Sequence, residues 1–469
     1  MNTTHVKSKY LIASAPFKPP GREEPSRILF ATRSGKTFLI KEKTFQALEQ
    51  NMLESIPPEI IEQLVECEAL IPPTENEFEQ ILQINQSENK KNTTLSITIQ
   101  PTANCQLGCH YCGQSHSKDN ITQDLSIKML DRIKSTISKN SHQYLHITWY
   151  GGEPILALKK IQSISNNLIE YCNENNIKYD GFMITNGLSL KPEVYKKLAS
   201  TKINRFQITI DGVEPIHNEN RPLKNGKGSF STIIHNIEQV TSLSEYSGNK
   251  SHIIIRININ QHNQDSVTEL IDYLSEKNLQ KKGISLSFNP ISDWGGNNAD
   301  RDSLSAADFS NKMISWIIYA INKGFAVGRQ IPDRSFAPCM VVMPDNEVYD
   351  AFGNIYPCYE FPYTAQYEKP EYKIGNLQTI QLIKNDKAIT REWYKDIHKN
   401  MSPCPNCPLF PVCGGGCAKH WYNGKSGCPS FKSNIQELLL LDYWMTIKKN
   451  NLAHKENANP SEILFNVQS

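Results

Sequence analysis

The sequence predicts an α/β fold: a partial barrel of six strand and helix units, with a small module before it and a cysteine-rich region after it. Between Leu95 and about residue 332, short β-branched and aromatic runs alternate with amphipathic segments, as in parallel β/α units. Polar or glycine-containing turns follow the first four strands, at the end where such folds bind ligands. Six units are too few for a closed eight-stranded barrel.

The spacing of apolar residues justifies the individual strands and helices of this barrel. A period of four places Leu125, Met129, Ile133 and Ile137 on one face of the helix after the first strand. A similar apolar stripe, ending at Cys172, follows the second strand. The predicted strands are residues 95–101, 144–150, 181–186, 205–210, 252–259 and 283–289.

The segment before the barrel is predicted to be a hairpin followed by helices. Alternating apolar residues flank a turn at Gly35, and glycine supplies the positive φ that tight turns need. Helices are predicted over residues 44–51 and 57–70, the second opening with two prolines. Polar residues 86–94 are predicted to be a linker. The predicted domains are residues 1–90, 91–334 and 335–450, followed by a flexible tail at 451–469.

Composition and charge exclude several classes of protein. Fifty Lys and Arg residues against 48 Asp and Glu leave a formal net charge of +2, so no basic surface predicts binding to nucleic acid. No run of about eighteen apolar residues predicts a membrane span, and the first residues do not have the pattern of a secretion signal. We therefore expect a cytoplasmic protein without nucleic-acid or membrane partners.

The 12 cysteines predict metal binding rather than disulfides, because a reducing cytoplasm keeps thiols available as ligands. Ten of them fall into two groups, at residues 105–112 and 339–428. Cys67 and Cys172 are left over in apolar helical patterns. These two are predicted to be buried core thiols, since free cysteine behaves as a small hydrophobic residue.

A loop with three cysteines follows the first strand of the barrel. Cys105, Cys109 and Cys112 have C-x3-C-x2-C spacing, which suits an iron-sulfur cluster that lacks its fourth protein ligand. An iron without a protein ligand is free to bind a small molecule. A zinc knuckle or half of a ferredoxin site remains the alternative interpretation.

Seven more cysteines follow the barrel. Helical periodicity is weak in this region, so metal binding would have to support its folding. In chain order they are Cys339, Cys358, Cys404, Cys407, Cys413, Cys417 and Cys428, with Gly353 between the first two. Two zinc ribbons are the alternative, although zinc sites favour closed sets of four thiolates at simpler paired spacings.

Three features together resemble a known family, the radical S-adenosylmethionine enzymes with a C-terminal SPASM domain. They are Tyr111 before the third cysteine of the loop, the run Gly151, Gly152, Glu153 and Pro154 after the second strand, and the seven later cysteines. The resemblance implies three [4Fe-4S] clusters and S-adenosylmethionine as cofactors.

The resemblance also implies a ligand set for each cluster. Cys105, Cys109 and Cys112 would hold the cluster that binds S-adenosylmethionine. Cys404, Cys407, Cys413 and Cys428 would hold one auxiliary cluster, and Cys339, Cys358 and Cys417 the other. The last set is one thiol short, so either that cluster has an open iron or a ligand other than cysteine completes it.

In the same way, the resemblance implies contacts to S-adenosylmethionine. Residues 151–154 would line the amino group of its methionyl part, Thr209 would contact the ribose, and Arg221 would bind the carboxylate, which a bidentate guanidinium suits. A surface residue or a strand cap is the alternative for Thr209 and Arg221. His217 is given no catalytic role, and the sequence identifies no proton acceptor.

The N-terminal hairpin and helices resemble the winged-helix module with which some enzymes bind ribosomally made peptides, where the leader adds a strand to the hairpin edge. This resemblance implies a peptide maturase. It would use a 5′-deoxyadenosyl radical to install a C–C or thioether cross-link on a precursor peptide, with a reductase such as flavodoxin or ferredoxin. An anaerobic sulfatase-maturing, formylglycine-forming enzyme and a non-catalytic metal-binding scaffold or electron carrier remain the alternatives.

Overall fold

The computed structural model describes residues 5–246, 250–379, 388–399 and 401–453. These form two compact units: residues 1–91, 329–342 and 393–469 belong to the first unit, and residues 92–328 and 343–392 to the second. The predicted domain boundaries at 90, 334 and 450 stay predictions. The predicted flexible tail lies, from residue 454 onward, outside the described residues.

The N-terminal part of the first unit is a small antiparallel sheet with helices on one side. Its elements are β1 (Val6–Lys7), β2 (Leu11–Ala13), β3 (Ser26–Ala31), β4 (Lys36–Lys41), α1 (Glu42–Glu49), α2 (Pro58–Glu66), β5 (Leu70–Ile71) and α3 (Glu77–Lys91). The main sheet has the order β2-β3-β4, so β4 lies at an edge. The predicted hairpin is present, and Gly35 has a φ of 74° in its turn. Both predicted helices are present, but the second ends at Glu66 rather than at residue 70, because Leu70 belongs to β5.

The predicted linker at residues 86–94 is wrong over its first part, because α3 continues to Lys91. Phe78, Ile81 and Leu82 are buried on the helix, and the next buried positions on the same face are Asn85 and Asn89. Two buried asparagines replace the apolar residues that would have shown the helical period. Asn85 Oδ1 accepts a hydrogen bond from Arg334, and Asn89 Nδ2 donates to the carbonyl of Phe336 at 3.1 Å.

The second unit contains a sheet of ten strands among the residues that the structure describes. Its order is β12-β11-β10-β9-β8-β7-β6-β13-β14-β15, and every neighbouring pair from β12 to β13 is parallel. The strands are β6 (Thr94–Ile99), β7 (Tyr144–Trp149), β8 (Lys178–Thr185), β9 (Ile203–Thr209), β10 (His252–Ile259), β11 (Ile284–Pro290), β12 (Ala326–Val327), β13 (Glu347–Tyr349), β14 (Asn354–Tyr356) and β15 (Gly375–Asn376). All six predicted strands are confirmed.

Helices join the parallel strands and cover the outer face of the sheet. They are α4 (Gln123–Asn140), α5 (Leu158–Glu174), α6 (Pro192–Ala199), α7 (Glu214–Asn220), α8 (Phe230–Thr241), α9 (Val267–Glu276) and α10 (Ala306–Asn322). The predicted apolar faces are confirmed: the four stripe residues of α4 are buried, and so is Cys172 on α5. The helices lie outside the sheet and do not cover the carboxyl ends of its strands. In folds of this kind, ligands bind at these ends.

The C-terminal part of the first unit has short helices and one long one. They are α11 (Trp393–Asp396), α12 (Phe410–Cys413), α13 (Ala418–Tyr422) and α14 (Ile435–Ala453). Ile435 and Leu439 of α14 pack against Ile28 and Phe30 of β3, so the small sheet is covered on this face. Its other face packs against α1 and α2. Within the described part of the chain, no helix is long and apolar enough to cross a membrane.

Candidate active site

The three cysteines of the loop after β6 lie together on one cavity of about 310 Å³ in the second unit. Cys105 is buried, and Cys109 and Cys112 are half-buried. The loop is held by backbone hydrogen bonds to the segment after α7: Gly108 N donates to Pro222 O at 2.8 Å, and His110 N to Asn220 O at 3.1 Å. This pairing places Arg221 beside the cysteines.

Burial raises the pKa of the Cys105 and Cys109 thiols to about 11, and the pKa of Cys112 shifts in the same direction for the same reason. The nearby Arg221 charge opposes this shift for all three. Because metals bind thiolates, binding of a cluster at these thiols is coupled to loss of their protons.

Gly151 and Gly152 line the cavity opposite the loop, and neither position has room for a side chain. Gly151 has a φ of 84°, and a Cβ there would lie 2.7 Å from the Gln100 side chain. A Cβ on Gly152 would lie 2.3 Å from the carbonyl oxygen of Asn104. The backbone of the β7 turn therefore packs directly against the chain that leads to Cys105.

Glu153 and Pro154 are not among the described residues that line the cavity. The Glu153 carboxylate is fully buried and accepts hydrogen bonds from Ile155 N at 3.0 Å, Thr185 Oγ1 at 2.7 Å and Asn186 N at 2.8 Å. Burial raises the pKa of Glu153, although these donors oppose the shift. Glu153 thus joins the ends of β7 and β8, and Pro154 begins a short 3-10 helix.

Thr209 and Arg221 both line the cavity. Arg221 is buried, donates a hydrogen bond to Tyr111 Oη, and its Nε has no hydrogen-bond partner among the described residues. Tyr111 Oη donates to Asp211 Oδ2 at 2.6 Å and accepts from Asn258 Nδ2 at 3.0 Å. The cysteine loop, β9 and β10 are therefore linked through one phenol group.

His217 lies behind this network rather than on the cavity. Its Nδ1 accepts a hydrogen bond from Asp211 N at 3.3 Å, and its Nε2 lies 3.1 Å from Ser229 Oγ. Burial lowers the pKa of His217 to about 3, so the ring stays neutral near pH 7. Through these two contacts the ring joins the turn after β9 to Ser229, just before α8.

Sequence reasoning missed most of the remaining cavity wall. The residues it missed come from inward-facing strand positions and from loops distant in sequence: His116, Tyr150, Gln207, Arg256, Asn258, Trp294, Tyr359 and Glu360. The strand positions could have been found from the period of two, since residues 256 and 258 alternate with buried isoleucines on β10. Trp294, Tyr359 and Glu360 lie in loops and have no such signal.

In the first unit, a second set of predicted ligands lies around a small space of about 10 Å³, which we call the cysteine pocket. It is lined by Cys404, Cys407, Cys413 and Cys428, together with Lys432 and apolar residues. Burial raises the pKa of Cys404 to about 11 and that of Cys413 to about 12. Four residues separated by up to 24 positions therefore share one pocket.

The third predicted set does not fall within one unit. Cys339 and Cys417 belong to the first unit and Cys358 to the second, so a cluster held by all three stays a prediction. Throughout the described residues, no group of three or more His, Cys, Asp or Glu side chains is arranged to hold a single metal ion. Cys67 and Cys172 are buried, as predicted for core thiols.

Comparison with known proteins supports this description. Residues 99–274 match the family model of the Radical SAM superfamily. A cysteine-type anaerobic sulfatase-maturating enzyme of Clostridium novyi is 25% identical, over 73% of this chain and 95% of its own length. The radical SAM cyclopropyl synthase TigE of Paramaledivibacter caminithermalis is 22% identical, over 78% of this chain and 77% of its own.

Two solved structures have the same fold. Native anSMEcpe with bound AdoMet matches with a TM-score of 0.57 and 20% identity, over 76% of this chain and 100% of its own. Streptococcus suis SuiB bound to the precursor peptide SuiA matches with a TM-score of 0.50 and 16% identity, over 90% of this chain and 98% of its own. These likenesses confirm the predicted partial barrel.

Proposed function

Because this chain contains a radical SAM domain and is an enzyme of that superfamily, we propose that it is a maturase that installs a C–C or thioether cross-link on a precursor peptide. The proposal that the substrate is a peptide rests on the N-terminal module. This module is a three-stranded sheet, with β4 at the edge of the sheet, followed by three helices. The alignment with the sulfatase-maturating enzyme covers 95% of that enzyme but only 73% of this chain.

The cavity in the second unit fits the cofactors of this superfamily. Three thiols on one loop suit a [4Fe-4S] cluster with an open iron. The buried Nε of Arg221 can donate to a carboxylate, and Gly151 and Gly152 line the cavity with backbone groups. When bound, the cluster and S-adenosylmethionine supply a 5′-deoxyadenosyl radical that removes a hydrogen atom from the substrate.

The residues of the chain would then position the cofactor and exclude water. Arg221, held by Tyr111, would bind the methionyl carboxylate, and Thr209 at the end of β9 would contact the ribose. Residues 151 and 152 would bring backbone groups to the methionyl amino group. Glu153 would act from behind by fixing this turn against β8 through Thr185 and Asn186.

We propose that the leader of the peptide binds at the exposed edge of β4. An added strand would form main-chain hydrogen bonds there, and the half-buried Phe38 and Leu39 offer apolar contacts on opposite faces of the sheet. A net charge of +2 suits recognition through backbone pairing and side-chain pockets better than through a strong field.

Two auxiliary [4Fe-4S] clusters complete the proposal, which brings the number of clusters to three. Cys404, Cys407, Cys413 and Cys428 would hold one, and the pocket they share supports this set. Cys339, Cys358 and Cys417 would hold the other. A cytoplasmic flavodoxin or ferredoxin would deliver electrons, since a reducing compartment keeps these thiols available.

The test uses the anaerobically reconstituted protein, dithionite, S-adenosylmethionine and the short peptide encoded beside its gene. A cross-link removes two hydrogen atoms and joins two residues, so tandem mass spectrometry should show fragments that remain connected. 5′-Deoxyadenosine should form in parallel. Absence of 5′-deoxyadenosine under these conditions would contradict the enzymatic proposal.

A sulfatase-maturing activity is the second candidate, favoured by the 25% identity to the Clostridium novyi enzyme over nearly its whole length. It would oxidise a cysteine or serine of a sulfatase peptide to formylglycine. The product carries an aldehyde that reacts with a hydrazide probe and joins no residues. Labelling by the probe, without connected fragments, would therefore select this candidate over the cross-linking one.

A further inference from the structure

A lysine lies inside the cysteine pocket. Lys432 belongs to the short 3-10 helix Ser430–Ser433, four residues after Cys428. Its Nζ is 3.3 Å from Cys428 Sγ, a hydrogen-bonding distance to sulfur. The backbone N–H of Lys432 donates to Pro429 O at 3.2 Å, so the turn that carries it is also fixed.

The pocket gives this ammonium group thiols rather than carboxylates as neighbours. Of the described residues that line the pocket, Lys432 alone has a side chain that is positively charged near pH 7, and none is Asp or Glu. A lysine side chain ordinarily loses its proton only at about pH 10. The lysine therefore keeps its charge beside the sulfurs.

We infer that Lys432 is the charged partner of the cluster proposed for Cys404, Cys407, Cys413 and Cys428 and raises its reduction potential. The inference rests on this proposed ligand set. A cubane with four thiolate ligands is an anion, and reduction adds one more negative charge. A fixed ammonium at a ligand sulfur stabilises the reduced anion more than the oxidised one, since net charge and hydrogen bonds to the sulfurs set cluster potentials.

A raised reduction potential favours electron transfer to this cluster over electron transfer from it. Its reduced form becomes easier to reach, so the cluster is suited to accept an electron rather than to donate one. The three-thiol loop has no lysine among the described residues that line its cavity, where the cations are Arg221 and Arg256. Both sites therefore place positive charge near their sulfurs; in the cysteine pocket it is an ammonium group 3.3 Å from Cys428 Sγ.

The test measures reduction potentials in the full chain, reconstituted without oxygen. Cys105, Cys109 and Cys112 are first changed together to Ala, so that only auxiliary signals remain in electron paramagnetic resonance. Cys404→Ala in this background identifies the signal that belongs to the cysteine pocket. Potentiometric titrations then compare Lys432→Met, Lys432→Arg and Lys399→Met. The last is a control in the same unit, an exposed lysine paired with Asp396 at 2.5 Å.

We expect Lys432→Met to shift the identified signal to lower potential, while Lys432→Arg and Lys399→Met leave it in place with unchanged iron content. Loss of about four irons in Lys432→Met but not in Lys432→Arg also supports the inference, because it shows that the cluster needs the charge. Unchanged potentials with full iron content, or equal iron loss in both Lys432 variants, overturn it. If Cys404→Ala removes no iron, the ligand set itself is wrong, and this result is distinct from an unmoved potential.

Discussion

Single residues of the active-site cavity depend on partners that are distant in sequence. Tyr111 lies in the cysteine loop, and its phenol contacts Asp211, Arg221 and Asn258, which are 100, 110 and 147 positions away. The sequence indicated Arg221 only through its resemblance to the family. It gave no sign that Tyr111 would orient it, because the contact depends on how the loop crosses the barrel mouth.

We expect Tyr111→Phe to weaken S-adenosylmethionine binding by about tenfold or more. The change leaves a buried guanidinium and a buried carboxylate without their shared partner, and losing a hydrogen bond to a charged group costs roughly 1.5–3 kcal/mol. Calorimetric titration of the reconstituted protein with S-adenosylmethionine checks this, with iron content measured in parallel. Tyr171→Phe is the matched control, since that phenol donates to the Lys134 carbonyl at 3.2 Å and is not among the described residues that line the cavity. Equal affinities at equal iron content would contradict the orienting role.

Asp350, in the turn between β13 and β14, should make stability depend on pH. Burial raises its pKa to about 6, although Asn354 and backbone N–H groups donate to it. The pKa of this carboxyl is higher in the folded chain than in the unfolded one, so its stabilising contribution is complete below about pH 4. The free energy of unfolding then falls by roughly 3 kcal/mol as pH rises from about 4 through about 6. Urea unfolding of the metal-free chain between about pH 4 and pH 7 measures this. Asp350→Asn should flatten the pH profile of stability, whereas Asp131→Asn on the exposed face of α4 should not. Matching profiles for wild type and Asp350→Asn would show that Asp350 is not the source of the pH dependence.

At the scale of elements, prediction succeeded where one segment carries the whole pattern. The six barrel strands and the stripe on α4 each show their period within about twenty residues, so the sequence alone indicates them. It missed β12 to β15 because strands of two or three residues are too short to show a period. It missed α3 because Asn85 and Asn89 occupy buried positions, where each forms a hydrogen bond with a residue from beyond position 330.

Two loops cross at the mouth of the cavity, and their crossing depends on two glycines. A Cβ on Gly295 would lie 2.2 Å from Gly113 Cα, and a Cβ on Gly113 would lie 2.3 Å from Gly295 Cα. Nearby, Asn297 Nδ2 donates to Cys112 O at 3.1 Å, so the crossing also fixes the third cysteine. The segment with Trp294 is thereby held against the cysteine loop.

We expect Gly295→Ala to loosen the cluster in this loop. The added methyl has to push two backbones apart, and overpacking of this kind costs about 1–3 kcal/mol, enough to speed iron release by about tenfold or more. Release of iron from the reconstituted protein to a coloured chelator measures the rate. Gly108→Ala is the control in the same loop, because a Cβ there meets nothing within 4 Å. If both variants release iron at the wild-type rate, the crossing does not hold the loop.

For the molecule as a whole, the cysteines divide between separately compact units in a way that motif spacing alone could not show. The first predicted set lies within the second unit and the cysteine pocket within the first. The grouping of these cysteines was predictable, because within each set they recur at short intervals in the sequence. Lys432 was not, since a lysine four residues after a cysteine has no special pattern; only the folded pocket shows that it faces the sulfurs.

This division predicts how metal is lost when one set is removed. Changing Cys105, Cys109 and Cys112 together to Ala should abolish 5′-deoxyadenosine formation and lower the iron content from about twelve to about eight per chain. The iron of the cysteine pocket should remain because that pocket is built entirely from residues of the other compact unit, and the iron of the other auxiliary set should remain because it shares no ligand with the loop. Iron and sulfide analysis with an assay for 5′-deoxyadenosine measures both effects.

Cys67→Ala with Cys172→Ala is the matched control, since both thiols are buried in helical packing outside the predicted sets and their loss should leave iron unchanged. Zinc in place of iron, or loss of all iron from the triple variant, would show that the thiol sets do not bind clusters independently as proposed.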